Sequence, residues 1–517
     1  MIGKCEDSLF YNGRIYTMEG RSKVVRAVAV SGGRIAAVGS DSDARRATSR
    51  GSRRVDLKGR TVLPGFIDCH THFVQMGLDA LCVDLSHTRT LEEALKLIKK
   101  GATKKHEGEW VIAANWKESG WQNGRFITRQ DLDSCCPDNP AVANRVCGHL
   151  STVNSKAIDL LCIDSNTPDA DVKTGILRES ALALSRKATN PTVAQMEKAL
   201  STAIGMAHKL GVTSIQENGR PMELPVYLAA EKRGRLGVRV WFNTHGDDLD
   251  ARLTIGLPTG LGSDLLKIGG LKVFCDGAIG ARTAALSKEY ADDKGNKGML
   301  VISREELERI VLDANRADIQ VVVHAIGDVG ISEVIQAFSK GDKVRSGRSL
   351  RNRIEHLELA TPAHLREMRR MGVIASMQPN FIGEWGGTEG MYMTRLGPER
   401  TAWNNPFREV LRARVKLVFG SDCMPFSPIY GIHSAVNAPH PTQRISVEEA
   451  VAAFTRDAAF ASFEESVKGT ISLGKFADMV VLSADPFDRP SEIGSINVLR
   501  TELGGETVYG PGDRGGC

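Results

Sequence analysis

The chain has no C-x-x-C pair, no basic tract, no glycine-rich phosphate loop and no apolar run near the ~18 residues that span a bilayer. Each absence excludes something. Without paired cysteine spacing, the ten cysteines suit neither a zinc ribbon nor a disulfide framework. Cys69, Cys275 and Cys423 fall in strand-like runs as small buried thiols, and the adjacent Cys135 and Cys136 have no partner motif. A formal net charge of +5, with both signs interspersed over 517 residues, gives no footprint for nucleic acid. No membrane partner is expected, and the opening MIGKCEDSLFYNGRIY has no signal-like apolar segment. A cytoplasmic protein with reduced thiols is expected. There is also no internal repeat and no low-complexity tract.

What is present exceeds one ordinary domain. A barrel of ~250 residues with accessory domains fits the length. A hydrophobic content of 42% and a charged content of 25% are those of a globular chain. Residues 8–60 read as short strands with turns, and Asn12-Gly13 and Gly32-Gly33 are hairpin signals. Similar material recurs at 474–483 and 499–510. Neither end can close a core alone, so residues 1–60 and 470–517 are expected to form one composite β-sandwich. Residues 74–190 carry their own helix (LEEALKLIKKGATKK), a strand (EWVIAANW) and an irregular stretch rich in Asp, Asn, Pro and Cys. They read as an insertion domain, with the helix expected after the first barrel strand delayed.

Between these lies a β/α rhythm. The stretch TVLPGFIDCHTHF (61–73) puts Asp68, His70 and His72 at alternate positions, hence on one strand face. Two imidazoles so placed can reach one metal ion, or can equally be solvated at a strand end. Apolar runs follow at 212–217, 238–243, 270–277, 319–328, 352–358, 373–379 and 415–422. Eight short apolar strands alternating with helices predict a TIM-type (β/α)8 barrel over 61–73 and 191–469. Their ends carry Lys272, His324, His356 and Asp422. Each is weak alone. Four histidines, a lysine and an aspartate in this strand order point to a metal site. Lys272, flanked by Leu271, Val273 and Phe274, is costly to bury unpaired, and an ion pair with Asp276 on the same strand face is one solution.

His-X-His one residue after PGFID resembles the opening metal-binding strand of the amidohydrolase superfamily. Over nearly the whole chain the likeness is to amidohydrolase family 3, the YtcJ-like branch that includes N-substituted formamide deformylase. The resemblance implies that His70, His72 and Asp422 bind one ion and that His324 and His356 bind a second. Lys272 would bridge them as a carbamate, so it joins Asp422 among the catalytic candidates; one or two ions per chain are left open. Histidine and carboxylate donors suit zinc, with manganese, iron, cobalt or nickel as alternatives. The ion would lower the pKa of its water toward 7, and Asp422 would shuttle the proton to the departing nitrogen.

In the insertion, Trp116 clusters with Glu118 and Trp121, and CGHLSTVNS presents His149 and Asn154. Packing and capping explain these residues as readily as function, and the resemblance favours a role facing substrate. Asp276 and Arg282, just beyond the fourth strand, are further candidates for the substrate pocket. The expected activity is hydrolysis of a small linear amide or N-substituted formamide. A cyclic amidohydrolase, a deaminase, or a non-catalytic regulator or scaffold are the alternatives. Monomer and homodimer are both open.

Overall fold

The computed structural model describes residues 7–20, 23–118, 121, 124–145 and 150–510. The chain divides into two compact units, Met1–Phe73 with Ile204–Cys517, and Val74–Ala203. The division falls inside one long helix, Val193–Lys209, rather than at the loop before it, where the sequence suggested the insertion ends.

The first unit is built on an eight-stranded parallel sheet. Its strands are β1 (Phe66–Thr71), β2 (Val212–Asn218), β3 (Arg239–His245), β4 (Leu266–Phe274), β5 (Val321–Ala325), β6 (Arg353–His356), β7 (Ile374–Met377) and β8 (Leu417–Phe419). They pair in that order from β8 back to β1, with registers such as Val323 opposite Ile354 and Ser376 opposite Val418. Helices including Arg304–Arg316, Asp328–Val344 and Pro362–Met371 alternate with them. Where β8 returns to β1, the Asp422 N–H donates to His70 O at 2.9 Å. The Ser421 N–H donates to Asp68 Oδ1, also at 2.9 Å. The approach at this seam is close enough that a Cβ on Gly420 would lie 2.3 Å from His70 N, so only glycine fits. This is a TIM-type barrel.

The same unit holds the sandwich made from both ends of the chain. One sheet runs Arg34–Gly39, Ala27–Ser31, Ser8–Tyr11, Arg53–Asp56. The other runs Glu506–Tyr509, Val498–Leu503, Met479–Leu482, Thr61–Pro64, Arg14–Tyr16, Val24–Val25. Val62 lies opposite Val481, and Phe10, Ile15, Val28, Val62, Met479 and Val481 share one buried core. Gly32 and Gly33, both at positive φ, turn a hairpin between antiparallel neighbours. Asn12-Gly13 does not. Ser8–Tyr11 and Arg14–Tyr16 belong to different sheets, so this turn carries the chain from one layer to the other.

The second unit has a mixed six-stranded sheet packed on helix Leu91–Ala102 through Val111, Ala113, Trp116 and Ile98. The helix expected to be delayed is not. Phe73–Leu81 is helical immediately after β1. It contains Gly77, a poor helix former in sequence, and a Cβ there would meet Ala199 O at 2.1 Å. Among the described residues, no helix is long and apolar enough to cross a membrane.

Candidate metal centre

The ends of β1, β5, β6 and β8 bring the expected imidazoles and aspartate together. Ring centroids are 5.7 Å apart for His70–His72, 4.8 Å for His70–His356 and 4.4 Å for His324–His356. Asp422 Oδ1 lies 3.6 Å from His70 Nε2 and 3.4 Å from His72 Nε2. The ligand atoms of His70, His72 and Asp422 all fall within 4.8 Å of one another. His72 is the outermost, with 40% of its side chain exposed. The backbone is bent to aim these groups: His356 and Asp422 both have positive φ, 71° and 54°, a conformation that non-glycine residues adopt at a cost and mostly at functional sites.

The protonation chemistry suits a cation. Burial, then the charge of Lys272, pushes His72 down to about 4 and His324 to about 3. Burial also holds His70 and His356 well below the ordinary imidazole range. All four are therefore neutral, the form that ligates. His324 Nε2 faces Gly277 O at 3.0 Å, so that nitrogen carries the proton and Nδ1 is left with its lone pair. His70 Nδ1 lies 2.5 Å from Glu355 Oε2, leaving Nε2 free toward Asp422. A fixed acceptor behind a ligating imidazole is the usual outer arrangement of metal sites.

Two orphaned atoms fit the same picture: Lys272 Nζ and His356 Nδ1 are buried without a hydrogen-bond partner among the described residues. Lys272 is only 2% exposed, and its ammonium lies 4.9 Å above the Phe274 ring. Burial lowers its pKa and raises that of Asp422. The anticipated ion pair with Asp276 is not among the contacts of the described residues. The Asp276 carboxylate instead accepts backbone N–H groups from Ala285, Ile326 and Gly327 at 2.9, 3.0 and 2.8 Å, tying together the loops after β4 and β5.

The other sequence candidates are placed as follows. Arg282 forms a double hydrogen bond with Asp292, 3.1 and 2.8 Å. Trp116 is fully buried in the second unit, donates to Ala143 O at 3.1 Å and stacks on Trp121. Asn154 caps helix Ser155–Leu160, accepting from Ala157 N and Ala141 N and donating to Cys136 O and Asn139 O. His149 lies outside the described residues. Two surface clefts lie at the opposite end of the barrel, beside Val373 and Val415 and beside Thr259 and Gln320, which precede their strands.

Glu217, Arg353 and Glu355 escaped the sequence reading, and Asp68 was singled out there only for sharing a strand face with His70 and His72. Glu217, at the end of β2, accepts from Thr71 Oγ1 at 2.6 Å and Phe73 N at 2.8 Å, holding the turn beyond His72. Burial pushes its carboxyl up to about 8. Asp68 accepts from His70 N and Ser421 N, and burial raises it to about 6. Arg353 and Glu355 are paired inside the barrel at 2.7 Å. The only signal for these was a charge inside an otherwise apolar strand.

Fold and cluster together define a metal-dependent hydrolase barrel. More particularly, the chain belongs to the amidohydrolase family, whose model matches residues 53–509. It is 29% identical to the protein LONG AFTER FAR-RED 3 of Arabidopsis thaliana, over 98% of this chain and 92% of that one. It is 28% identical to the N-substituted formamide deformylase of Arthrobacter pascens, over 97% and 98%. An uncharacterized metal-dependent hydrolase from Pyrococcus furiosus superposes with a TM-score of 0.81 at 32% identity, covering 93% of this chain and 100% of that one.

Proposed function

We propose that this chain hydrolyses the carbon–nitrogen bond of a small linear amide or N-substituted formamide. The observation that carries the reading is the neutral histidine cluster against Asp422, with Nε2 atoms of two imidazoles 3.4 and 3.6 Å from one carboxylate oxygen. The full-length likeness to an N-substituted formamide deformylase supports the choice of bond.

His70, His72 and Asp422 would hold one divalent cation, zinc being the best match to nitrogen and oxygen donors. His324 and His356 would hold a second, and Lys272, whose neutral amine would add carbon dioxide and lose a proton to become an anionic carbamate, would be a further ligand. Bound there, the cation supplies a water of lowered pKa and a polarised carbonyl. The remaining work falls to the chain. Asp422, fixed by its own N–H to His70 O, takes the proton from the attacking water. Burial raises its proton affinity, which suits it to pass that proton to the leaving nitrogen. Phe274, 5.3 Å from His324, and Phe381, 6.1 Å from His356, wall the cluster with apolar rings. Trp116 and Asn154 are fully engaged within their own unit and are given a structural role.

The test is a panel of N-formyl, N-acyl and cyclic amides offered to chelator-stripped protein and to the same protein restored with zinc. Amine and acid release from an N-formyl or linear N-acyl compound, only after zinc is restored, is the expected result. Turnover confined to cyclic amides, or equal in stripped protein, contradicts the proposal.

A further inference from the structure

Behind His70 lies a polar layer sealed inside the barrel. Gln216, Arg353, Glu355 and Ser376, from β2, β6 and β7, are each fully buried. Glu355 Oε2 lies 2.5 Å from His70 Nδ1 and accepts from Ser376 Oγ at 2.9 Å. Its Oε1 accepts from Arg353 Nε at 2.7 Å. Arg353 Nη2 donates to Cys69 O at 2.7 Å and to Ser376 Oγ at 3.1 Å. Its Nη1 donates to Gln216 Oε1, and Gln216 Nε2 donates to Ala458 O at 2.9 Å.

A charge pair this deep is a poor device for stability, because apolar side chains of similar volume serve as well or better. Its geometry serves one imidazole. A carboxylate bonded to a guanidinium can only accept, so the shared hydrogen must sit on His70 Nδ1, and the lone pair must sit on Nε2, facing Asp422. Arg353 grips the main chain of the preceding residue through Cys69 O, so ring and strand are held from the same pair. We infer that Glu355 is a positioning residue that fixes the tautomer and orientation of His70 for the cation, with Arg353 keeping Glu355 an acceptor. This rests on the reading of His70 as a ligand.

Two measurements test it. In protein labelled with 15N-histidine, His70 should show the Nδ1–H tautomer both stripped of metal and loaded with zinc; an Nε2–H tautomer overturns the inference. The second compares zinc affinity, by chelator competition, in wild type and in Arg353→Met/Glu355→Leu, which removes both charges together and so leaves no unpaired ion. Loss of the acceptor should weaken zinc binding about 10–100-fold in protein that still melts cooperatively. Zinc affinity equal to wild type would reduce Glu355 to the counter-ion of Arg353. Should the double variant not fold, the wild-type tautomer decides. A wild-type chain that binds no zinc removes the metal reading, and the tautomer of the stripped protein then decides whether Glu355 orients the ring.

Discussion

Replacing Lys272 by methionine separates a ligand from a brace. The lysine is 2% exposed, and its ammonium has no hydrogen-bond partner among the described residues. An unsatisfied buried donor costs about 1–3 kcal/mol. The contact with the Phe274 ring, at 4.9 Å, returns about 0.5–2 kcal/mol. Methionine keeps most of the volume and removes the polar atom, so on these terms the stripped variant should lie between about 1 kcal/mol below and about 2.5 kcal/mol above wild type in stability. Zinc should act in the opposite direction. A ligand at a hundred times its Kd stabilises a protein by ~2.7 kcal/mol, and a variant lacking one anionic ligand forfeits much of that shift. The assay is a pair of thermal melts, without metal and with excess zinc. A stripped variant that melts well below wild type, while keeping the whole zinc shift, would show that Lys272 braces the strand and takes no part in binding.

Asp276→Asn should lower the melting midpoint by about 1–3 kcal/mol of stability, since three backbone N–H groups lose their shared carboxylate, while zinc affinity by chelator competition stays at the wild-type value. In stripped protein, the 15N signals of His72 and His324, held at about 4 and 3, should stay those of neutral rings from pH 8 to 5. The unfolded rings protonate below about 6.5, so each contributes stability that is intact above that pH and is lost as the pH falls toward its folded value; a titration midpoint near 6.5 in the folded protein contradicts this. Truncation before Ile471 removes Met479–Leu482, the strand paired with Thr61–Pro64 just ahead of β1, and the chain should lose soluble expression altogether; a soluble, folded truncation refutes the dependence.

The barrel was legible because parallel strands buried on both faces are short continuous apolar runs; the run at 212–217 is β2 but for Asn218, and that at 373–379 contains β7. His70 and His72 were legible through strand periodicity. The interior polar layer was not. Arg353 and Glu355 sit two apart in a four-residue strand, inside a run that the sequence offers only as a short apolar barrel strand with His356 at its end. Turn chemistry misled at Asn12-Gly13, where the local signal is right but the two strands join different sheets. Periodicity failed at Phe73–Leu81 because Gly77 is there for a close approach to Ala199 O, a long-range demand that no local window contains. Asp276 shows the same limit in reverse: sequence offered Lys272 as its partner, and the fold gave it three backbone donors.

The most direct test of the metal site is the zinc content of protein purified under zinc-replete conditions, measured by mass spectrometry for wild type, His70→Ala and His324→Ala side by side. The account predicts one or two equivalents of zinc in wild type, a loss of at least one equivalent in His70→Ala, and a further difference at His324→Ala only if a second ion is held. Metal-free wild-type protein, or His70→Ala retaining the full wild-type complement, would contradict it.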